Sequence, residues 1–205
     1  MIDGMTLGRR ALLGNMALLL GVAALPAEAL AAGARKARPF LAKPRMRLLA
    51  AVADTIMPAT DTPGALDAGV PARIDALLGK WAAPATRDEV VAALDRIDAA
   101  ARAEKGKAFA ALSAADREAF LRAYDAAALK AVPPPPGAPK PTIFTPRVDV
   151  VDHGYYRVKD MVLTLYYYSA QASTTELIYE HVPGEWQPSI PATPKTRPFL
   201  GTGPF

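Results

Sequence analysis

The sequence contains no cysteine and only two histidines, His153 and His181. The first absence excludes a disulfide framework, a thiolate nucleophile, a Cys-ligated iron–sulfur cluster and a c-type haem attachment site. The second argues against a multi-histidine metal centre. No GxGxxG or phosphate loop occurs, and no nucleophile elbow. No period-2 strand pattern of any length is present, and no internal repeat. Beyond the first 31 residues no apolar run is long enough to cross a bilayer. Charge of one sign is also scarce. The net charge of +4 comes from 24 bases and 20 acids, which interleave, so the pI near 9.4 gives no case for nucleic acid.

What is present is apolar and proline-rich. About half the 205 residues (51%) are hydrophobic, enough for one globular domain with a core, and 21% charge at near balance excludes disorder throughout. The 20 prolines are about twice the usual share.

Residues 1–31 read as an address. Arg9-Arg10 is followed by a weakly apolar stretch, Ala11–Leu25, then Pro26 and the small-residue exit Ala27-Glu28-Ala29-Leu30-Ala31. A cationic start, an apolar middle and an A-x-A exit form an export signal. The arginine pair and the modest hydrophobicity resemble a twin-arginine signal, which moves folded cargo. Cleavage is expected after Ala29 or Ala31. The alternative, an uncleaved anchor, suffers from a run shorter than the roughly 20 residues a span needs.

Residues 32–132 hold four amphipathic helical patterns. Pro44 suits the opening turn of the first, Leu49, Val52, Ala53 and Ile56 repeat at helical spacing, and Pro58 stops it. A turn-rich loop, Thr60-Asp61-Thr62-Pro63-Gly64, follows, and Asp61 is expected to bond its own backbone there. The second helix begins near Gly69-Val70-Pro71, with Ile74, Leu77, Leu78 and Trp81 on its inward face. The third opens on the capping-box pattern Thr86–Glu89, with Val90, Leu94, Ile97 and Ala101 as its stripe. The fourth has Ser113 as N-cap, with Phe120, Tyr124 and Ala127 or Ala128 inward.

Residues 133–147 hold seven prolines in fifteen positions, so they form an extended linker. Residues 148–182 carry a fifth helix, Gly154–Ala170, and a short sixth, Ser173–Glu180. Residues 183–205 form an extended arm with six prolines and the aromatics Trp186, Phe199 and Phe205, which suit an arm lying on its own domain or on a partner. The predicted fold is all-α, an irregular domain of about five to six helices.

The candidates for chemistry are few. Asp149, Asp152 and His153 sit together and allow an acid–base pair or a metal site, but Asp152-His153-Gly154 fits the capped start of a helix better. Ser169 and Ser173 lie near His181 without a nucleophile motif. The charges of 82–131 read as a solvated helix face. Tyr155-Tyr156 and Tyr166-Tyr167-Tyr168 are more unusual. Three consecutive tyrosines cover most of a helix circumference, so at least one points away from the core; core packing and a partner surface both fit the cluster.

Two stretches carry a resemblance. One runs from Leu48 through Asp54-Thr-Ile-Met-Pro58 and Thr60-Asp61-Thr62-Pro63-Gly64-Ala65 to Asp75. The other is Val162–Ala170, followed by Leu177-Ile-Tyr179 and Pro183-Gly-Glu-Trp186. Together, over roughly 44–192, they resemble the gluconate 2-dehydrogenase subunit 3 family, the small subunits of membrane-associated FAD-dependent sugar and sugar-acid dehydrogenases. Tyr168-Ser169-Ala170 keeps the family's serine and differs in its neighbours.

The resemblance implies a non-catalytic partner, with no catalytic, cofactor or metal residue of its own. Such a subunit binds the folded FAD-containing large subunit, carries it through the twin-arginine route by the signal at Arg9 and Arg10, and then stabilises it in the periplasm. A cytochrome subunit with haem c commonly takes the electrons and holds the complex at the inner membrane. Asp61, Pro63 and Gly64 match the family's loop, and with Tyr155, Tyr166, Tyr167, Tyr168, Trp186, Phe199 and Phe205 they are the candidate partner-binding residues. The interface is expected to exceed 1,000 Å² if the arms wrap. The alternatives are a stand-alone periplasmic ligand-binding protein and a hydrolase using Asp152 and His153.

Overall fold

A computed structural model divides the chain into two units, Met1–Arg38 and Pro39–Phe205. The residues described are 39–142, 147–178, 189, 191, 193 and 196–198. The fold is all-α. Its helices are α1 (Lys43–Ile56), α2 (Val70–Lys80), α3 (Pro84–Lys105), α4 (Ala114–Ala128), α5 (His153–Tyr167) and α6 (Ala170–Thr175), with a 3₁₀ turn at Phe109–Ala111. Among the described residues the β-structure is a single antiparallel bridge, Ala131 to Val150.

The apolar periodicity explains the core. Leu49 and Val52 of α1, Ile74 and Leu78 of α2, Val90, Leu94 and Ile97 of α3, and Val158 and Val162 of α5 are buried together. Each such side chain contributes roughly 1.5–3 kcal/mol on leaving water. The closest-knit helices are α3 and α5, which come from opposite sides of the proline-rich linker. Gly154 makes that approach possible. A Cβ there would lie 2.9 Å from the Arg96 guanidinium, 3.0 Å from the Glu89 carbonyl and 3.1 Å from the Ala93 methyl.

Asp152 fastens the same junction. It caps α5 by accepting the Tyr155 N–H at 2.9 Å. Its carboxylate takes a two-pronged contact from Arg96 of α3, at 2.5 and 3.0 Å, and the Tyr124 hydroxyl of α4 at 3.2 Å. Its own N–H donates to the Ala128 carbonyl. Burial opposes ionisation of this carboxyl, but Arg96 and the Tyr155 N–H together outweigh it and hold the group below its ordinary value. A second tie runs alongside, where Glu89 of α3 bonds His153 at 2.8 Å and Arg157 at 2.9 Å. The two flanks of the linker pair next to it, with Val132 N–H on Asp149 O and Val151 N–H on Lys130 O.

Several local expectations shift. α3 starts at Pro84, two residues before the expected capping box, and has no side-chain cap, because proline at the first position already supplies helical φ. α5 ends at Tyr167 rather than Ala170, because Ser169 caps a new helix by accepting the Ala172 N–H. That moves the sixth helix to Ala170–Thr175. Ser113 caps α4 as expected, and Tyr124 is only half-buried while Leu121 and Ala128 are buried. Trp81, expected inward, is 85% exposed, since it follows the last turn of α2 and the chain turns away there. The charged stretch is more than a solvated face. Asp98 receives the Phe109 N–H at 2.8 Å, and Asp95 pairs with Arg45 of α1 at 2.9 Å.

Replacing Asp152 by Ala removes a cap and strands Arg96 and the Tyr124 hydroxyl. The expected loss is about 2–4 kcal/mol, read as a lower urea midpoint, while Asp152→Asn keeps the cap and loses less. Because Asp152, Glu89 and Asp95 are all held below their ordinary values, the wild-type contribution is full above about pH 5 and falls as the pH drops through the folded-state values. Acid unfolding of Asp152→Asn should therefore show a flatter low-pH limb than wild type.

Candidate partner interface

The α1–α2 loop is drawn onto the C-terminal end of α5. Tyr166 is fully buried, and its hydroxyl stands 2.6 Å from the Pro63 carbonyl oxygen and also bonds the Glu176 carboxylate. The Thr62 hydroxyl donates to the same carboxylate at 2.7 Å. Burial, and then Glu176, push the Tyr166 hydroxyl up to about 12. Gly64 lets the loop fold back on α1. A Cβ there would stand 2.5 Å from the Ala59 nitrogen and 2.8 Å from the Pro58 carbonyl carbon. The loop's backbone bond runs from Thr60 N–H to Thr62 O, and Gly64 N–H donates to Asp67 at 2.9 Å. Asp61 plays a different part from the one expected. Its carboxylate receives the Thr60 hydroxyl at 3.1 Å, and Asp67 supplies the side-chain-to-backbone bond.

The tyrosines therefore separate by role. Tyr155 is buried and its hydroxyl donates to Asp125 at 2.9 Å, with burial raising it above the usual phenol range. It belongs to the core, as Tyr166 does. Tyr167 and Tyr168 reach solvent, at 40% and 64% exposure, so the three-tyrosine run does turn outward. In the α1–α2 loop Asp61 is exposed, Pro63 is half-buried and Gly64 is buried. The candidates Trp186, Phe199, Phe205, Arg9 and Arg10, and also His181, lie outside the described residues. The arm does return to the domain at one described point, where the Ile178 N–H donates to the Pro198 carbonyl at 2.9 Å.

The acid–base candidates are engaged elsewhere. Asp152 is bound to Arg96, Tyr124 and Tyr155, and His153 to Glu89. Ser169 is a buried helix cap. A cleft of about 640 Å³ opens between α1, α4 and α5, where Asp54, Arg117, Asp125 and Lys159 contribute to the wall. Those charges neutralise one another, Arg117 on Asp54 at 3.2 Å and Lys159 on Asp125 at 2.7 Å. Among the described residues no group of three or more acidic or imidazole side chains is placed to hold a metal ion. None of the described helices is long and apolar enough to cross a membrane.

The model of the family described as gluconate 2-dehydrogenase subunit 3 matches residues 43–184. The chain belongs to the gluconate 2-dehydrogenase subunit 3 family. The match opens on the first residue of α1 and covers all six helices. No curated protein and no solved structure matches the chain. Membership makes this chain a dehydrogenase-complex subunit, for which exposed aromatic surface has a natural use.

Sequence reasoning passed over part of that surface. The spacing of Trp81 from Leu77 and Leu78 places it on the inward face of α2, whereas the structure leaves it exposed. Phe40 and Leu66, 39% and 47% exposed, lie outside any helix, where periodicity says nothing. Glu176 falls inside the helix expected at Ser173–Glu180, whereas it is the C-cap of α6. One signal pointed to Trp81: it sits after Lys80 and three residues before Pro84, a helix-ending context.

Tyr166→Phe should cost about 1–3 kcal/mol, because Glu176 and the Pro63 carbonyl lose their shared donor in a buried site. The pH dependence separates this bond from mere packing. A hydroxyl raised to about 12 stabilises the fold fully below about pH 10, and that contribution is lost as the pH climbs towards 12. The alkaline limb of an unfolding titration should therefore be flatter in Tyr166→Phe. Gly64→Ala should lower the melting temperature by several degrees through the backbone clash at Ala59.

Proposed function

We propose that this chain is the non-catalytic small subunit of an exported FAD-dependent dehydrogenase acting on a sugar or sugar acid. In this reading it binds the folded flavoprotein subunit, accompanies it through the twin-arginine route by the signal at Arg9 and Arg10, and stabilises it in the periplasm. The observation that carries the reading is the family match over residues 43–184. The bonding of Asp152, His153 and Ser169 supports it, because each of those polar groups already serves the fold. Exposed Tyr167, Tyr168 and Trp81 support it as surface suited to a protein partner.

The flavin in this proposal is held by the partner. Among the described residues there is no strand–turn–helix unit to seat a dinucleotide pyrophosphate. A sequence without cysteine cannot bind c-type haem covalently, so a haem c relay in this proposal belongs to a third subunit. The stand-alone ligand-binding reading would use the cleft at Arg117 and Lys159, whose charges are already paired.

The test is co-expression with the large subunit in an export-competent host. With the intact chain, the flavoprotein should accumulate in the periplasm with its flavin absorbance and co-purify with this chain. Changing Arg9 and Arg10 to Lys together should leave both proteins in the cytoplasm. Full secretion and normal stability of the flavoprotein without this chain would overturn the accessory role. A well-behaved monomer that ignores the flavoprotein would favour the ligand-binding alternative.

A further inference from the structure

We propose that the pocket between α1, α3 and the 3₁₀ turn is a phosphate site, in which Arg45, Arg47 and Arg102 hold the anionic group of a phosphate ester. The proposal goes beyond the accessory-subunit reading and does not rest on it.

The pocket encloses about 480 Å³, within the roughly 300–1,000 Å³ of small-ligand sites. Three arginines and two aspartates line it, so one positive charge is left over. The carboxylates are already answered. Asp95 receives the Nε and one Nη of Arg45, at 3.0 and 2.9 Å. Asp98 takes the Arg102 Nε on one oxygen and the Phe109 N–H on the other, both at 2.8 Å. The guanidiniums are not. Each carries five N–H donors. Among the described residues Arg45 keeps one Nη free, Arg102 commits only its Nε, and Arg47 has no hydrogen bond or ion pair at all. The aspartates therefore orient Arg45 and Arg102 and leave their remaining donors for a ligand. Asp98 is itself fixed, because the Phe109 it bonds is fully buried. Leu48 and the alanines of α3 and the 3₁₀ turn add an apolar wall for the body of an ester.

The placement of charge on α1 points the same way. The helix opens with Lys43, Arg45 and Arg47 and has no acid in its first turn. Bases at that end meet the positive pole of the helix dipole, an unfavourable arrangement that a bound anion relieves. The larger cleft between α1, α4 and α5 lacks this surplus, because its Arg117, Arg122 and Lys159 are each matched by an acid. A tetrahedral phosphate offers oxygens in several directions and can use guanidiniums from two helices, whereas a planar carboxylate is satisfied by one fork. A soluble phosphate ester and the phosphodiester of an anionic lipid headgroup both present this group.

The experiment titrates the full chain with inorganic phosphate and with glycerol 3-phosphate by calorimetry, and sediments it with vesicles of phosphatidylglycerol or of phosphatidylcholine. Saturable binding of the free phosphates identifies a soluble ester as the source. Binding to phosphatidylglycerol vesicles alone identifies a lipid headgroup. In either case Arg47→Gln should weaken binding at least about tenfold with an unchanged urea midpoint, because Arg47 makes no bond within the described fold. Arg102→Gln should weaken it as well. Arg122→Gln removes a charge that is exposed on α4, outside the pocket, and should leave binding as it was. Equal losses in Arg47→Gln and Arg122→Gln would mean attraction by the charge of the whole chain, and the site falls. It falls also if Arg47→Gln binds as wild type does, or if wild type binds none of the four probes.

Discussion

The carboxylate of Asp152 is the point on which the helices on either side of the linker converge. It caps α5 a few residues after the linker and receives donors from α3 and α4 in the same few ångströms. A half-buried carboxylate is costly unless each lone pair is used, and here it meets Arg96, Tyr124 and the Tyr155 N–H. Gly154, next but one along the chain, removes the side chain that would push α3 and α5 apart. Cap, ion pair and close approach thus depend on one another. A side chain at position 154 would press on the Glu89 carbonyl and the Ala93 methyl as well as on the Arg96 guanidinium.

Tyr166 does for the other end of α5 what Asp152 does for its start. Its hydroxyl gathers the Pro63 carbonyl and Glu176, so the α1–α2 loop and α6 are held to one residue. This explains why the loop can be rich in turn residues and still be set in place. The two anchors leave a frame with little freedom. The aromatics that point out of it, Trp81, Tyr167 and Tyr168, stand at the ends of helices that this frame holds.

Much of the fold was legible because it rests on periodicity. The stripes Leu49-Val52 and Val90-Leu94-Ile97 are buried where their spacing put them. Ser113 and Asp152 cap helices as their positions imply, since a capping oxygen acts on an N–H two or three residues away. The candidate surface was half legible. One of three adjacent tyrosines had to face solvent, but which ones did so depended on where α5 sits against the loop. Trp81 shows the limit. Its spacing fits the inward face of α2, yet the helix ends one residue earlier and the chain turns before Pro84.

The sequence by itself determined the helical class, the break at the proline-rich linker, the absence of thiol and haem-attachment chemistry and the family, because these depend on residue type and short-range spacing. Only the tertiary structure decided that Asp152 serves three helices, that Tyr155 and Tyr166 are core while Tyr167 and Tyr168 are surface, and that Phe40 lies under Arg87. Those facts come from contacts between residues tens of positions apart. No local pattern records such contacts, because burial is a property of what packs opposite a side chain.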